Sequence, residues 1–189
     1  VNYIEKAEQL LPRLVKPELE MALYIQKAQN LNFVNDETIR RVWVNQILEI
    51  LQTVNKAGKE SSYIELASAL LPQIEGLQET DSQILKTCCV NLLYNYKEDK
   101  TNCKEILEYI KCCGIICITS RSEYEKLEYA NRAFSLLENF PHMCDALITS
   151  LFYILLPYFQ LSPSIVSKRE KNEKGSIDSR YMSICRKRF

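Results

Sequence analysis

Apolar residues over positions 1–161 recur at i, i+3, i+4 and i+7, the spacing that gathers them into one stripe of a helix. The stripe is clearest after Asp36, where Ile39, Val42, Trp43, Ile47, Ile50, Leu51 and Val54 follow one another, and it places Trp43 in the core. Asp36 stands where an N-cap is wanted, and Gly58 closes the segment from the far side. Asn2-x-x-Glu5, Ser62-x-x-Glu65 and Ser122-x-x-Glu125 have the spacing of capping boxes, in which each side chain satisfies an otherwise orphaned backbone amide. Asp81 and Asn102 read as further N-caps, and Pro17 suits a first helical position, where its missing N–H costs nothing. Alternation with period two is absent apart from "GIICITS" at 114–120, which reads either way. The pattern predicts an all-α chain of about eight helices, near 2–14, 17–31, 36–56, 62–76, 81–96, 102–118, 122–140 and 144–161. From residue 162 onward the sequence is polar, basic and aperiodic, and is expected to be a flexible tail (162–189) on a helical domain (1–161).

Two of these segments repeat. "YIEKAEQLLPRL" (3–14) and "YIELASALLPQI" (63–74) share Tyr3/Tyr63, Ile4/Ile64, Glu5/Glu65, Ala7/Ala67, Leu10/Leu70, Leu11/Leu71 and Pro12/Pro72. A weaker third copy, "YANRAFSLLENF", sets Tyr129, Ala133, Leu136, Leu137 and Phe140 in the slots of Tyr3, Ala7, Leu10, Leu11 and Leu14. The offsets are 60 and 66 residues, room for three helices per unit. Repetition on this scale predicts a right-handed α-helical repeat stack in which each helix buries its stripe on its neighbours. The alanines fit close crossings and the Leu-Leu pairs a shared core. The proline about ten residues into each copy either kinks the helix or ends it, and the sequence leaves both open.

On these repeated slots the chain resembles the α-helical repeat superfamilies of HEAT/armadillo and tetratricopeptide type, over about residues 1–161. The spacing of about 60 residues fits units longer than the roughly 34-residue tetratricopeptide period. The resemblance implies a scaffold that binds protein segments along a concave face.

Composition narrows the classes. Four glycines among 189 residues argue against glycine-built phosphate loops, and no P-loop, G-x-G-x-x-G or H-E-x-x-H pattern occurs. The net charge of zero conceals an asymmetry: residues 162–189 hold eight basic and three acidic side chains, net +5, so residues 1–161 carry −5. The longest apolar run, "ALITSLFYILLPYFQL" at 146–161, is shorter than the roughly 20 residues of a membrane span, so it reads as a buried helix. No secretory pattern opens the sequence, which reads as one domain or a segment of a longer repeat protein. The eight cysteines are therefore expected to be free thiols of a reducing compartment, cytoplasmic or nuclear. Neighbours such as Cys88–Cys89 and Cys112–Cys113 point to different helix faces and make poor disulfide partners.

Candidate chemistry is sparse. Cys113 and Cys117 share a helix face at i, i+4, but a structural zinc site draws on paired C-x2-C or His groups, and the one histidine is His142. Core packing among Ile115, Ile116 and Ile118 is the expected role, with no metal, no cofactor and no catalytic residue. Tyrosine suits surfaces that are dry at one end and wet at the other, so Tyr94, Tyr96, Tyr109 and Tyr124 are the candidate partner contacts. Lys168, Arg169, Arg186, Lys187 and Arg188 in the tail join them as a patch for an acidic partner. The expected function is a non-catalytic protein–protein interaction scaffold in a multi-subunit assembly, taking a partner helix or extended segment. The alternative is a nucleic-acid-binding helical repeat that uses the basic tail, against which stands the −5 of the helical body.

Overall fold

A computed structural model describes residues 3–4, 6–7, 9–10, 17–53, 60–95 and 103–139. Every regular element among them is helical. Two compact units divide the chain, Val1–Glu98 and Asp99–Phe189.

The first unit contains α1 (Pro17–Asn30), α2 (Glu37–Gln52), α3 (Glu60–Ala69) and α4 (Glu79–Asn95), with 3-10 turns at Leu31–Phe33 and Leu71–Gly76. Pro17 opens α1, as its fixed φ favours. Asp36 caps α2, its carboxylate accepting from the amides of Thr38 (2.8 Å) and Ile39 (3.3 Å), a contribution of about 1 kcal/mol. On α2 the buried residues are Trp43, Val44, Ile47, Leu48 and Leu51. The stripe is thus rotated from the predicted one: Val42 is 48 % exposed, and Val44 and Leu48 take its place against the neighbouring helices. Helix α3 packs on α1, α2 and α4, and Ile64, Leu66, Ala67 and Leu70 are buried there. On α4, Leu85, Cys88, Cys89, Leu92 and Leu93 repeat at three and four residues and complete the core. Each such aliphatic side chain removed from water contributes about 1.5–3 kcal/mol.

The proline question resolves at Pro72. The predicted helix over 62–76 ends its α-helical part at Ala69, and the chain tightens into the 3-10 turn with Pro72 in its first residues. The bonds from the Leu70 amide to the Ala67 carbonyl (3.1 Å) and from Gln73 to Leu70 (3.0 Å) reach back three residues, not four. Proline needs no donor at that point, so it stops the α-helix without stopping the turn. Its counterpart Pro12 lies outside the described residues.

Other local expectations shift for tertiary reasons. Ser62 lies inside α3, which begins at Glu60, so it is not a cap. Asp81 is not an N-cap either; it sits in the first turn of α4, buried, and receives the Arg41 guanidinium of α2 in a two-pronged ion pair, the longer contact at 3.5 Å.

In the second unit, α5 (Cys103–Thr119) and α6 (Glu123–Asn139) form a hairpin across a short turn. "GIICITS" belongs to α5, and the stretch 112–117 is buried all round. Isoleucine and small cysteines let neighbours approach from every side, which favours a buried helix over a half-wet strand. At the start of α6 the Ser122 hydroxyl accepts from the Glu125 amide (3.3 Å), as a capping box requires. The reciprocal bond is different: the Ser122 amide donates to Ser120 Oγ (3.1 Å), and the Glu125 carboxylate accepts from that same hydroxyl. The expected caps at Asn2 and Asn102, and the helix over 144–161, lie outside the described residues, as does the tail.

Candidate functional site in the first unit

A cleft of about 650 Å³ opens on the first unit. One wall is a face of α1, on which Glu18, Ala22, Ile25 and Gln29 succeed one another at three- and four-residue spacing. The C-terminal end of α2 supplies Ile50 and Thr53, and α3 supplies Ser62, Tyr63 and Glu65. Met21, Ile25 and Ile50 are half-buried, so each leaves apolar surface open to the cleft. Glu18 and Glu20 are exposed at its rim.

Tyr24, also in the lining, is fixed from behind. Lys27, one turn on, is fully buried, an expensive position for an ammonium. It donates to Gln46 Oε1 (2.7 Å) and lies 5.2 Å from the centroid of the Tyr24 ring and 5.7 Å from that of Trp43. The two rings and the amide replace part of its hydration and tie α1 to α2. A wall so tied is preformed, and the cleft volume falls within the roughly 300–1,000 Å³ of ordinary binding pockets.

Among the described residues the charged side chains of the cleft are acidic. The carboxylates lining it are Glu18, Glu20 and Glu65, from two helices, and among the described residues no lysine, arginine or histidine joins them.

The second unit offers chemistry of another kind. Arg132 lies 4.9 Å from the Tyr129 ring centroid, pairs with Glu128 (2.6 Å) and hydrogen-bonds Tyr109. Beside this network burial holds the Cys113 thiol well above its usual range, with Cys117 and Cys112 adding to the effect. Burial pushes Cys117 up to about 12, and its Sγ donates to the Lys126 carbonyl (3.3 Å). A thiol held protonated is a poor nucleophile at neutral pH. Among the described residues no group of three or more His, Cys, Asp or Glu side chains is arranged to hold a metal ion, and the described cysteines are free.

The partner contacts expected from the sequence fall in different places. Tyr94, on α4, is 84 % exposed and Tyr124, on α6, 74 % exposed, the one in the first unit and the other in the second. Tyr109 is buried, its ring part of the core and its hydroxyl engaged with Arg132, so it is placed inside and not on a surface. Tyr96, Lys168, Arg169, Arg186, Lys187 and Arg188 lie outside the described residues. Sequence reasoning missed the cleft. The face Glu18/Ala22/Ile25/Gln29, mixing carboxylate and apolar side chains, was the available signal, but its other walls come from helices far along the chain.

No protein-family model, no curated protein and no solved structure matches this chain. Among the described residues no helix is long and apolar enough to cross a membrane.

Proposed function

We propose that this chain is a non-catalytic protein-binding module, built as a right-handed helical repeat stack, that holds a helix or extended segment of another subunit within a larger assembly. The observation that carries this reading is the preformed cleft, with its half-buried apolar floor of Met21, Ile25 and Ile50 under a polar rim. Apolar floors with polar rims are the anatomy of protein interfaces. Free, buried thiols in both units fit a cytoplasmic or nuclear setting. A nucleic-acid partner would have to use the basic segment 162–189, because the carboxylates of the cleft repel phosphate.

The test is a stoichiometric complex, captured from native extract and confirmed by size-exclusion chromatography. Ala22 is exposed in the lining, so Ala22→Trp blocks the cleft without disturbing the core. The expected result is a complex formed by the parent chain and lost in this variant. A parent chain that stays monomeric and captures nothing overturns the reading. Salt-sensitive binding to RNA or DNA that disappears on removing 162–189 replaces it with the nucleic-acid alternative.

A further inference from the structure

We infer that Tyr24, Trp43 and Gln46 form an ammonium-binding pocket between α1 and α2, which the chain fills with its own Lys27 and which takes a primary alkylammonium ion when that side chain is shortened. The inference is independent of the protein-binding reading and needs no partner. Each helix supplies a pair at i, i+3 spacing, Tyr24 and Lys27 on α1 and Trp43 and Gln46 on α2, so each pair shares a face. The two helices pack on one another. Trp43 is buried and Lys27 is wholly enclosed, whereas a lysine ordinarily buries its stem and keeps its ammonium in water.

The position of Nζ separates an ammonium site from a stem buried for its hydrocarbon. It donates to Gln46 Oε1 at 2.7 Å and lies 5.2 Å from the Tyr24 ring centroid and 5.7 Å from that of Trp43. Both ring distances fall inside the roughly 6 Å over which the negative face of an aromatic ring attracts a cation. Hydrocarbon burial alone gives no reason for the charge to end between two rings and an amide oxygen, and it leaves the lost hydration unanswered. Aromatic faces are also the groups by which ammonium ligands are recognised in general. Tyr24 lines the cleft as well, so the pocket lies behind that wall.

Shortening Lys27 tests this on the full chain. Lys27→Ala removes the heavy atoms of n-propylammonium, and 1-propanol matches that ion in size and can donate to Gln46 without carrying charge. Urea unfolding is followed by the fluorescence of Trp43, the chain's one tryptophan, with each additive at about 0.1 M and sodium chloride as the ionic control. The expected result is that n-propylammonium raises the midpoint of Lys27→Ala in a concentration-dependent way, as a ligand of the folded state does. Its affinity is expected to exceed that of 1-propanol at least about 10-fold, and the parent chain is expected to respond no more than it does to sodium chloride. Where Lys27→Ala does not fold alone, recovery of its helical circular dichroism by n-propylammonium is the readout. Lys27→Met keeps an apolar stem without the charge and is expected to unfold at lower urea than the parent. No response of Lys27→Ala to n-propylammonium, or an equal response to 1-propanol, overturns the inference. A Lys27→Met midpoint at or above the parent's overturns it too, because hydrocarbon burial would then suffice.

Discussion

The segments beginning at Tyr3 and Tyr63 share seven of thirteen residues over 2–14 and 62–74, yet they sit in opposite surroundings. In the later copy Ile64, Ala67, Leu70 and Leu71 are buried in the first unit. In the earlier copy Tyr3 is 87 % exposed, Leu10 51 % exposed, and Ala7 is exposed too. The difference lies between the shared slots. Where the later copy has Leu66 and Ser68, both buried, the earlier one has Lys6 and Glu8. A helix enclosed on more than one side needs apolar or small residues at those positions as well. A helix carrying charges there keeps a single stripe and fits an edge. Identity at the shared slots therefore does not fix the surroundings, and the unshared positions differ with how deeply each copy is enclosed.

Exchanging the discriminating residue gives the largest expected effect. Leu66→Lys places an ammonium in the core without the Gln46 and ring partners that Lys27 enjoys, and is expected to cost about 3 kcal/mol or more. The converse, Lys6→Leu, acts at an exposed position and is expected to change stability by no more than about 0.5 kcal/mol. Urea denaturation of the two variants beside the parent measures both, and similar midpoints for the pair would end the comparison. Truncating a shared slot comes next: Leu70→Ala is expected to lose about 2–5 kcal/mol through transfer and cavity terms, against about 0.5 kcal/mol for Leu10→Ala.

The third copy extends the contrast to the second unit, since Ala133 and Leu136 are buried there as their counterparts are in the later copy. Its neighbours Cys113 and Cys117 make the expected effect one of pH. Burial holds their folded pKa values above the ordinary thiol value of 9.0, with Cys117 at about 12. The unfolded chain therefore loses its thiol protons first as pH climbs past 9.0. Stability from these groups is fully present below that value and falls as pH rises toward the folded values. Cys113→Ala with Cys117→Ala should flatten the alkaline part of the stability profile relative to the parent, measured by urea midpoints between about pH 8.5 and pH 10.5. A small effect is also expected at the recurrent proline. Pro72 is exposed in a 3-10 turn, so Pro72→Ala should move stability by less than about 1 kcal/mol.

Much of this was legible along the chain because it is local. The opening of α1 at Pro17, the Asp36 cap, the Ser122 half of its capping box and the burial of Trp43 each depend on residues within a turn or so of one another. Where a partner lies far off in sequence, legibility stops. Asp81 has the composition of an N-cap and became the buried partner of Arg41, forty positions earlier. Tyr109 has the composition of an interface residue and became part of the core because α6 packs over it. The cleft is the clearest case, since α1, α2 and α3 each bring only a fragment of it.

Helical periodicity, capping chemistry and the repeated Tyr, Ala and Leu-Leu slots are properties of short segments, and they predicted the helices found among the described residues before any was placed. Which stripe is enclosed, whether Pro72 stops an α-helix or bends it, and where three carboxylates and an apolar floor meet are relations between segments. Burial and charge proximity depend on what arrives from elsewhere in the chain, and a pattern read one turn at a time carries no record of that.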